Sequence, residues 1–189
     1  MGILLTSGIV LLNAAAWIGI FWLNGHVFST LQEQIGVNWV FLPEGFLLLG
    51  VLLFGWRCCL GVFLGSFVAA YWLFAPDGIW FIPIAATLTG FSPLLAIYLL
   101  RSRFPVKRDL SDMTPLKLLI YGVVFSVISA IVHQLAFLLA GFTPVQKWPH
   151  AVWAMFVGDF FGVLIVLGIA STLLRLGSTS PKRMRQRVS

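Results

Sequence analysis

Charged residues are scarce in this chain, and their scarcity excludes a soluble globular fold. Asp, Glu, Lys and Arg make up 10% of the 189 residues, whereas hydrophobic residues make up 60% and the mean hydropathy is +1.00. Soluble domains carry about 25% charged residues. The composition therefore predicts an integral membrane protein, and its length leaves no room for a sizeable soluble domain besides the membrane spans.

Cysteines and catalytic motifs are also lacking. The two cysteines, Cys58 and Cys59, are adjacent, which excludes a disulfide framework, and they lie far from His133, which disfavours a Cys-His nucleophilic pair. A zinc site needs three or four suitable ligands, so metal binding is weakly supported. The chain has no His-Glu-x-x-His, Gly-x-Ser-x-Gly, phosphate-loop or dinucleotide motif. We predict no metal, no cofactor, no catalytic residue and no enzymatic activity.

Long apolar runs dominate what is present. A helix of about 20 apolar residues crosses roughly 30 Å of hydrocarbon, and six runs predict an all-α, polytopic transmembrane helix bundle. The first run lacks a basic region before it and a cleavage site after it, so we expect a retained helix. The predicted spans are Ile3–Leu23, Val40–Trp56, Cys58–Phe74, Ile79–Leu100, Leu116–Ala140 and Ala151–Leu174.

Basic residues fall almost entirely on one side of these spans. With six alternating crossings, only Lys147 of the 12 Lys and Arg residues lies on the other side. Positive charge is enriched in cytoplasmic loops, so both termini are expected to be cytoplasmic. The net charge of +6 then needs no nucleic acid partner. The eleven residues are Arg57, Arg101, Arg103, Lys107, Arg108, Lys117, Arg175, Lys182, Arg183, Arg185 and Arg187.

The same pattern divides the chain into two parts. We expect one transmembrane domain over residues 1–175 and a basic cytoplasmic tail over 176–189. The tail either anchors the chain at anionic lipid headgroups, the interpretation we favour, or docks an acidic partner.

The second span is too short to cross as a helix alone. Proline suits the first turn of a helix, and from Pro43 to Trp56 a helix is about 20 Å long. Residues 37–42 are therefore expected to enter the membrane as non-helical chain, buried in protein or beside a wet cavity. This places Glu44 at a recessed helix N-terminus, where the helix dipole favours negative charge.

Other polar residues lie deep in the spans. Asn13, His133 and Asp159 each fall about seven to ten residues, or roughly 10 to 15 Å, from the outer end of a span. A stripe of small and polar residues turns His133 towards the other helices. We predict an outward-opening cavity lined by Glu44, His133 and Asp159, with Asn13 and Gln134 nearby, which binds a ligand or senses protons.

The alternative is that these side chains only form interhelical hydrogen bonds. For His133 alone we favour that alternative. For Asp159 we favour function, because asparagine would bond similarly without the cost of a charge, which is roughly 2.5 to 3.5 kcal/mol at membrane depth. For Glu44 the two are balanced.

Two glycine pairs have the small-xxx-small spacing of packed membrane helices, Gly61 with Gly65 and Gly158 with Gly162. Close helix packing is a sufficient explanation for both pairs.

Four short motifs follow one another along the chain. They are Asn38–Gly45 (NWVFLPEG), Gly55–Arg57 (GWR), Gly61–Ser66 (GVFLGS) and Gly158–Leu164 (GDFFGVL). Their order resembles the MASE1 family of bacterial integral-membrane sensory domains, over about residues 38–170. In that family a Trp-x-Pro-x-Gly type segment, a Gly-x-Arg turn before a glycine-rich helix and a late Gly-Asp-x-x-Gly-Val-Leu helix recur.

The resemblance implies signal transduction in a bacterial inner membrane. MASE1 domains sense a cue and pass it to a fused kinase, cyclase or phosphodiesterase, and they are generally longer than this chain. We expect no output domain after Arg175. We therefore expect a stand-alone sensory or ligand-binding subunit that lies in the lipid bilayer, binds a small ligand and acts through a partner signalling protein.

Two other functions fit the same features. The polar pocket would suit a substrate-binding or transport component for a small solute. However, only the stretch around Gly90 and Pro93 resembles the interrupted helices of transporters, and it has no counterpart in the other half. An accessory or assembly subunit of a larger membrane complex would use its glycine-rich faces to bind protein, and its cavity residues would be dispensable.

Overall fold

The computed structural model describes residues 2–75, 78–105 and 114–178, and this described part is 86% helical. Among these residues, five helices are long and apolar enough to cross a membrane, and α2 is shorter, with 13 residues. The predicted all-α transmembrane bundle is confirmed. The helices are α1 (Gly2–Val27), α2 (Leu42–Phe54), α3 (Trp56–Phe74), α4 (Ile82–Arg103), α5 (Pro115–Leu139) and α6 (Trp148–Ser178).

Two sequence predictions fall partly or wholly outside the described residues. Most of the predicted basic tail, from residue 179 onwards, lies outside them, as do Lys107 and Arg108 in the connection between α4 and α5. Helix α6 itself continues to Ser178, three residues past the predicted end of the transmembrane domain.

An antiparallel ribbon marks one end of the bundle. It consists of β1 (Gln32–Gln34) and β2 (Val37–Asn38), between the end of α1 and the start of α2. Its turn lies against Phe137 near the end of α5, and Trp39, which follows it, packs against His150 in the first turn of α6. We call this the ribbon end.

The described basic residues separate between the two ends. Lys147 precedes α6 at the ribbon end. The others lie at the first or last turns of helices at the opposite end, which we call the basic end. They are Arg57, Arg101, Arg103 and Lys117. The helix directions thus reproduce the predicted charge asymmetry among the described residues.

Helix α2 occupies the centre of the bundle. Helices α1, α3, α4, α5 and α6 contact one another in that order, and α2 contacts all five. Most of its residues are buried, whereas α1 exposes large apolar side chains such as Leu4 and Leu12, as a lipid-facing helix does. Residues at the start of α2 are therefore within reach of every other helix.

Non-helical chain leads into the start of α2 and packs against α6. The Phe41 amide donates to the Gly158 carbonyl of α6 at 3.0 Å. The carbonyls of Asn38 and Phe41 lie where a Cβ at Gly158 or Gly162 would have to sit. Non-helical chain does lie ahead of a short second helix, packed against α6, and its entry into the membrane stays a prediction. This glycine pair accommodates that chain rather than another helix.

The buried start of α2 is capped from a different helix. The Leu42 amide donates to the Asn24 side chain of α1 at 2.8 Å, and the Glu44 amide donates to the Phe41 carbonyl at 3.2 Å. Pro43 has no amide proton to satisfy. The orphan amide groups of a helix start can therefore lie at membrane depth without water.

Gly61 and Gly65 bring α3 close to α1. A Cβ at Gly61 would lie 2.5 Å from the Val10 carbonyl oxygen, and one at Gly65 would lie 2.8 Å from the Ala14 carbonyl oxygen. These positions have the predicted small-residue geometry of helix packing.

Helix α4 is continuous through Pro93, although the sequence suggested a break there. Its hydrogen-bonded turns run from Ile82 to Arg103. Gly90 serves close packing instead, since a Cβ there would lie 2.6 Å from the Phe63 Cβ.

Candidate functional site

A cavity of about 60 Å³ lies beside the start of α2, where all six helices contribute side chains. At about 15 to 30 Å³ each, it has room for roughly two to four water-sized groups. Its polar lining comprises Trp17, Glu44, Ser66, Thr89, Ser129 and His133. Its apolar lining includes Phe21, Phe41, Phe74, Phe137 and Met155.

Several polar atoms in this lining are buried without a hydrogen-bond partner among the described residues. They are Trp17 Nε1, Glu44 Oε1 and Ser66 Oγ. Each of these residues is at most 3% exposed. Buried polar groups are nearly always paired, and an unpaired one costs about 1 to 3 kcal/mol. The atoms come from three helices and share one cavity, so the cavity is suited to a small polar molecule.

Glu44 forms a buried carboxyl pair with Asp159. Asp159 on α6 is 1% exposed and interacts electrostatically with Glu44. The Ser129 hydroxyl lies close enough to both carboxyl groups to be a candidate donor to either one. A hydroxyl has only one proton to donate, so it cannot serve both carboxylates at once. Asp159 Oδ2 also lacks a partner. Asp159 does not line the cavity itself and lies behind Glu44 and Ser129.

No described Lys or Arg forms an ion pair with this carboxyl pair. The ion pair found in the described part of the chain joins His150 and Glu33 at the ribbon end, where both side chains are partly exposed. The described Lys and Arg residues lie at the ends of the bundle. A charge on either carboxyl group would therefore have no ion-pair partner among those side chains.

His133 lies on the cavity wall, one turn from Ser129. Its Nδ1 is 2.9 Å from the Ser129 carbonyl, and its Nε2 is 3.2 Å from the Thr89 hydroxyl. A carbonyl only accepts, so Nδ1 carries a proton and donates it. In the neutral ring Nε2 then accepts from Thr89. The imidazole is thus held in place by α4 and α5.

The structure does not bring Asn13 or Gln134 to the cavity. Asn13 Nδ2 donates to the Ile9 carbonyl at 2.8 Å, and the Asn13 Cβ lies at the close contact with Gly61. Gln134 accepts from Thr143 at 3.3 Å. Hydrogen bonding and packing account for both positions, whereas Glu44, His133 and Asp159 do come together.

The ribbon and an aromatic cluster cover the cavity at the ribbon end. Gly36, with φ of 74°, forms the ribbon turn and lines the cavity beside Phe137. The Gln34 amide donates to Thr143 at 2.9 Å, which holds the ribbon to the connection before α6. The cluster consists of Phe74, Phe81, Phe137 and Phe142, with neighbouring ring centroids 5.1 to 6.4 Å apart.

Several cavity residues could not be predicted from the sequence. Trp17 looks like a packing residue, and Ser66 and Thr89 are ordinary small polar residues of membrane helices, which often bond their own backbone. Ser129 alone carries a signal, because it lies four residues before His133 on the polar stripe of the fifth span.

No protein-family model matches the chain, and no curated protein sequence or solved structure matches it. The resemblance to MASE1 therefore depends on the four sequence motifs.

Proposed function

We propose that the protein is a MASE1-like sensory subunit of a bacterial inner membrane, which binds a small polar ligand in the cavity beside α2 and signals through a partner protein. One observation carries this proposal. The buried polar atoms of Trp17, Glu44 and Ser66 surround one cavity and have no partner in the described part of the chain.

The position of the cavity suits a sensor. Glu44 lies on α2, which contacts every other helix. A ligand shifts a conformational equilibrium only through different contacts in the two states. Bonds to Glu44 and Ser66 would supply such a difference, because they join the central helix to α3.

Helix α6 is suited to carry the signal to the cytoplasm. It has 31 residues and is about 46 Å long, whereas the hydrocarbon layer is roughly 30 Å thick. Asp159 lies on the same helix, beside the cavity residues Glu44 and Ser129. We propose that the partner binds near the cytoplasmic end of α6.

Crosslinking and gentle purification of the tagged full-length protein from its native membrane tests the proposal. We expect a histidine kinase, a diguanylate cyclase or a phosphodiesterase to co-purify, in an amount that changes in a Glu44→Gln variant. Glu33→Gln, the same chemical change at the ribbon end, is the matched control. Recovery of a transport ATPase, or of a large complex unaffected by Glu44→Gln, would contradict a sensory role.

A further inference from the structure

The charge of the cavity wall restricts what it can bind. Glu44 lines the cavity with an unpartnered oxygen, and Asp159 lies behind it with another. The described elements around the pair present no Lys or Arg to it. They present Trp17 and Phe21 from α1, Ser66 from α3, Thr89 from α4, Ser129 and His133 from α5, and Met155 from α6. A buried carboxylate needs a positive partner or a proton, so the carboxyl pair favours a cationic ligand over an anionic one.

The aromatic lining narrows the choice among cations. Trp17, Phe21 and Phe41 form a continuous wall, with ring centroids 6.5 Å and 6.1 Å apart. These three aromatic residues line the same cavity as Glu44. Aromatic rings attract ammonium-type cations, whereas hard metal ions require several oxygen ligands. The described residues contain no group of three metal-ligating side chains.

The size and hydrogen-bonding capacity of the cavity further restrict the choice of ligand. A volume of about 60 Å³ suits a molecule of only a few heavy atoms. An ammonium group has only donors, which match the acceptors that line the space: Glu44 Oε1, the Ser66 hydroxyl and the Thr89 hydroxyl. Trp17 Nε1 is a donor that such a ligand leaves unpaired, so Trp17 would contribute through its ring.

We infer that the cavity binds a small ammonium-type cation, either ammonium or a short alkylammonium, between the Glu44 carboxylate and the aromatic wall of Trp17, Phe21 and Phe41. The carboxylate of Asp159, next to Glu44, adds negative charge. This inference rests on the proposed ligand-binding function of the same cavity and names the class of its ligand.

Thermal unfolding of the purified full-length protein in detergent tests this inference. Methylammonium chloride is the probe, and sodium chloride and acetamide are compared at matched ionic strength. Acetamide is a similarly small molecule without a charge. We expect saturable stabilisation by methylammonium only, with affinity at least tenfold lower in Glu44→Gln and unchanged in Glu33→Gln. Phe41→Leu keeps a similar apolar volume and removes the ring, so it should also weaken binding. This variant tests the inference if Glu44→Gln does not fold.

The pH dependence has a defined sign. Protons compete with the cation for Glu44 and Asp159, and a protonated His133 would repel it, so the affinity for methylammonium should fall as the pH is lowered. An affinity that rises on acidification would overturn the inference.

Other outcomes separate the failure of this inference from that of the proposed function. If acetamide stabilises the protein as much as methylammonium does, and Glu44→Gln keeps this stabilisation, the inference of a cationic ligand is overturned. The proposed sensor would then bind a neutral ligand. If none of the probes stabilises the protein, the inference of a cationic ligand is also overturned. The co-purification experiment then tests the sensory role independently.

Discussion

At the scale of single residues, the least satisfied group in the bundle is the carboxyl pair of Glu44 and Asp159. One hydroxyl, from Ser129, lies near both carboxyl groups as a candidate donor. Two carboxylates present about eight acceptor sites, far more than one donor can serve. A side chain that only held helices together would not require this arrangement, since an asparagine bonds at a lower cost.

Replacement of Ser129 by alanine should therefore destabilise the protein. The variant removes the hydroxyl that lies near both carboxyl groups, and a buried polar group that loses a donor costs about 1 to 3 kcal/mol. The matched control is Ser126→Ala on the same helix, because the Ser126 hydroxyl is buried without a partner and does not line the cavity. Thermal unfolding in detergent measures both variants. Equal losses of stability would show that Ser129 has no special role.

Asp159→Asn should separate stability from function. The amide keeps the size of the side chain and removes a like charge beside Glu44. We expect stability to be unchanged or to rise by up to about 1 kcal/mol, or about 2 to 4 °C in midpoint, while the affinity for methylammonium falls. Unfolding scans with and without methylammonium measure both effects. A less stable variant that still responds fully would identify Asp159 as a structural residue.

At the scale of secondary-structure elements, the non-helical chain before α2 places Glu44 beside the cavity. Its entry depends on two glycines of α6, because the carbonyls of Asn38 and Phe41 occupy the space of their missing side chains. The spacing of Gly158 and Gly162 could be recognised in the sequence, but their partner could not. Small-xxx-small spacing indicates a close approach and does not say what approaches.

Gly162→Ala should displace this segment and destabilise the bundle. The added Cβ would meet the Phe41 backbone, which cannot move away as the end of a flexible side chain can. Overpacking of this kind costs about 1 to 3 kcal/mol or more. Gly168→Ala on the same helix is the control, since no other group lies within 4 Å of a Cβ there. It should be neutral or slightly stabilising, and a similar loss from both variants in thermal unfolding would contradict the prediction.

At the scale of the whole molecule, the helices and the charged side chains of the site could be predicted, but the arrangement of the helices could not. Long apolar runs determine the spans, and Pro43 indicates the short central helix. Around α2, the helices α1, α3, α4, α5 and α6 neighbour one another in that sequence. This arrangement depends on packing between surfaces that are apolar on every side. The ribbon was also beyond prediction, because its strands have only three and two residues.

The same limit explains which site residues were recognised. Glu44, His133 and Asp159 stand out because ionisable groups are costly in apolar spans. Trp17 and Ser66 belong to the site only because their helices meet at the cavity, and such residues are common in any membrane helix. Asn13 stands out by polarity alone, and its bond to the Ile9 carbonyl in its own helix accounts for it.

The orientation of the bundle leads to the last prediction. The cavity lies towards the ribbon end, and the positive-inside rule assigns the basic end to the cytoplasm. In the proposed bacterial inner membrane, a ligand would then reach the cavity from the periplasm, beneath the ribbon, and the long helix α6 would end in the cytoplasm near the proposed partner. A reversed orientation would expose the cavity to the cytoplasm and remove the basis for sensing an external cue.

Cysteine labelling in intact bacterial cells decides the orientation. Val145 and Ser102 are exposed at the ribbon end and the basic end, respectively. Cys58 and Cys59 are fully buried, so they contribute little background. A membrane-impermeant maleimide should label Val145→Cys once the outer membrane is opened, and Ser102→Cys only after the inner membrane is permeabilised. Labelling in the opposite order would reverse the topology, because the ribbon and the basic end lie at opposite ends of the same helices.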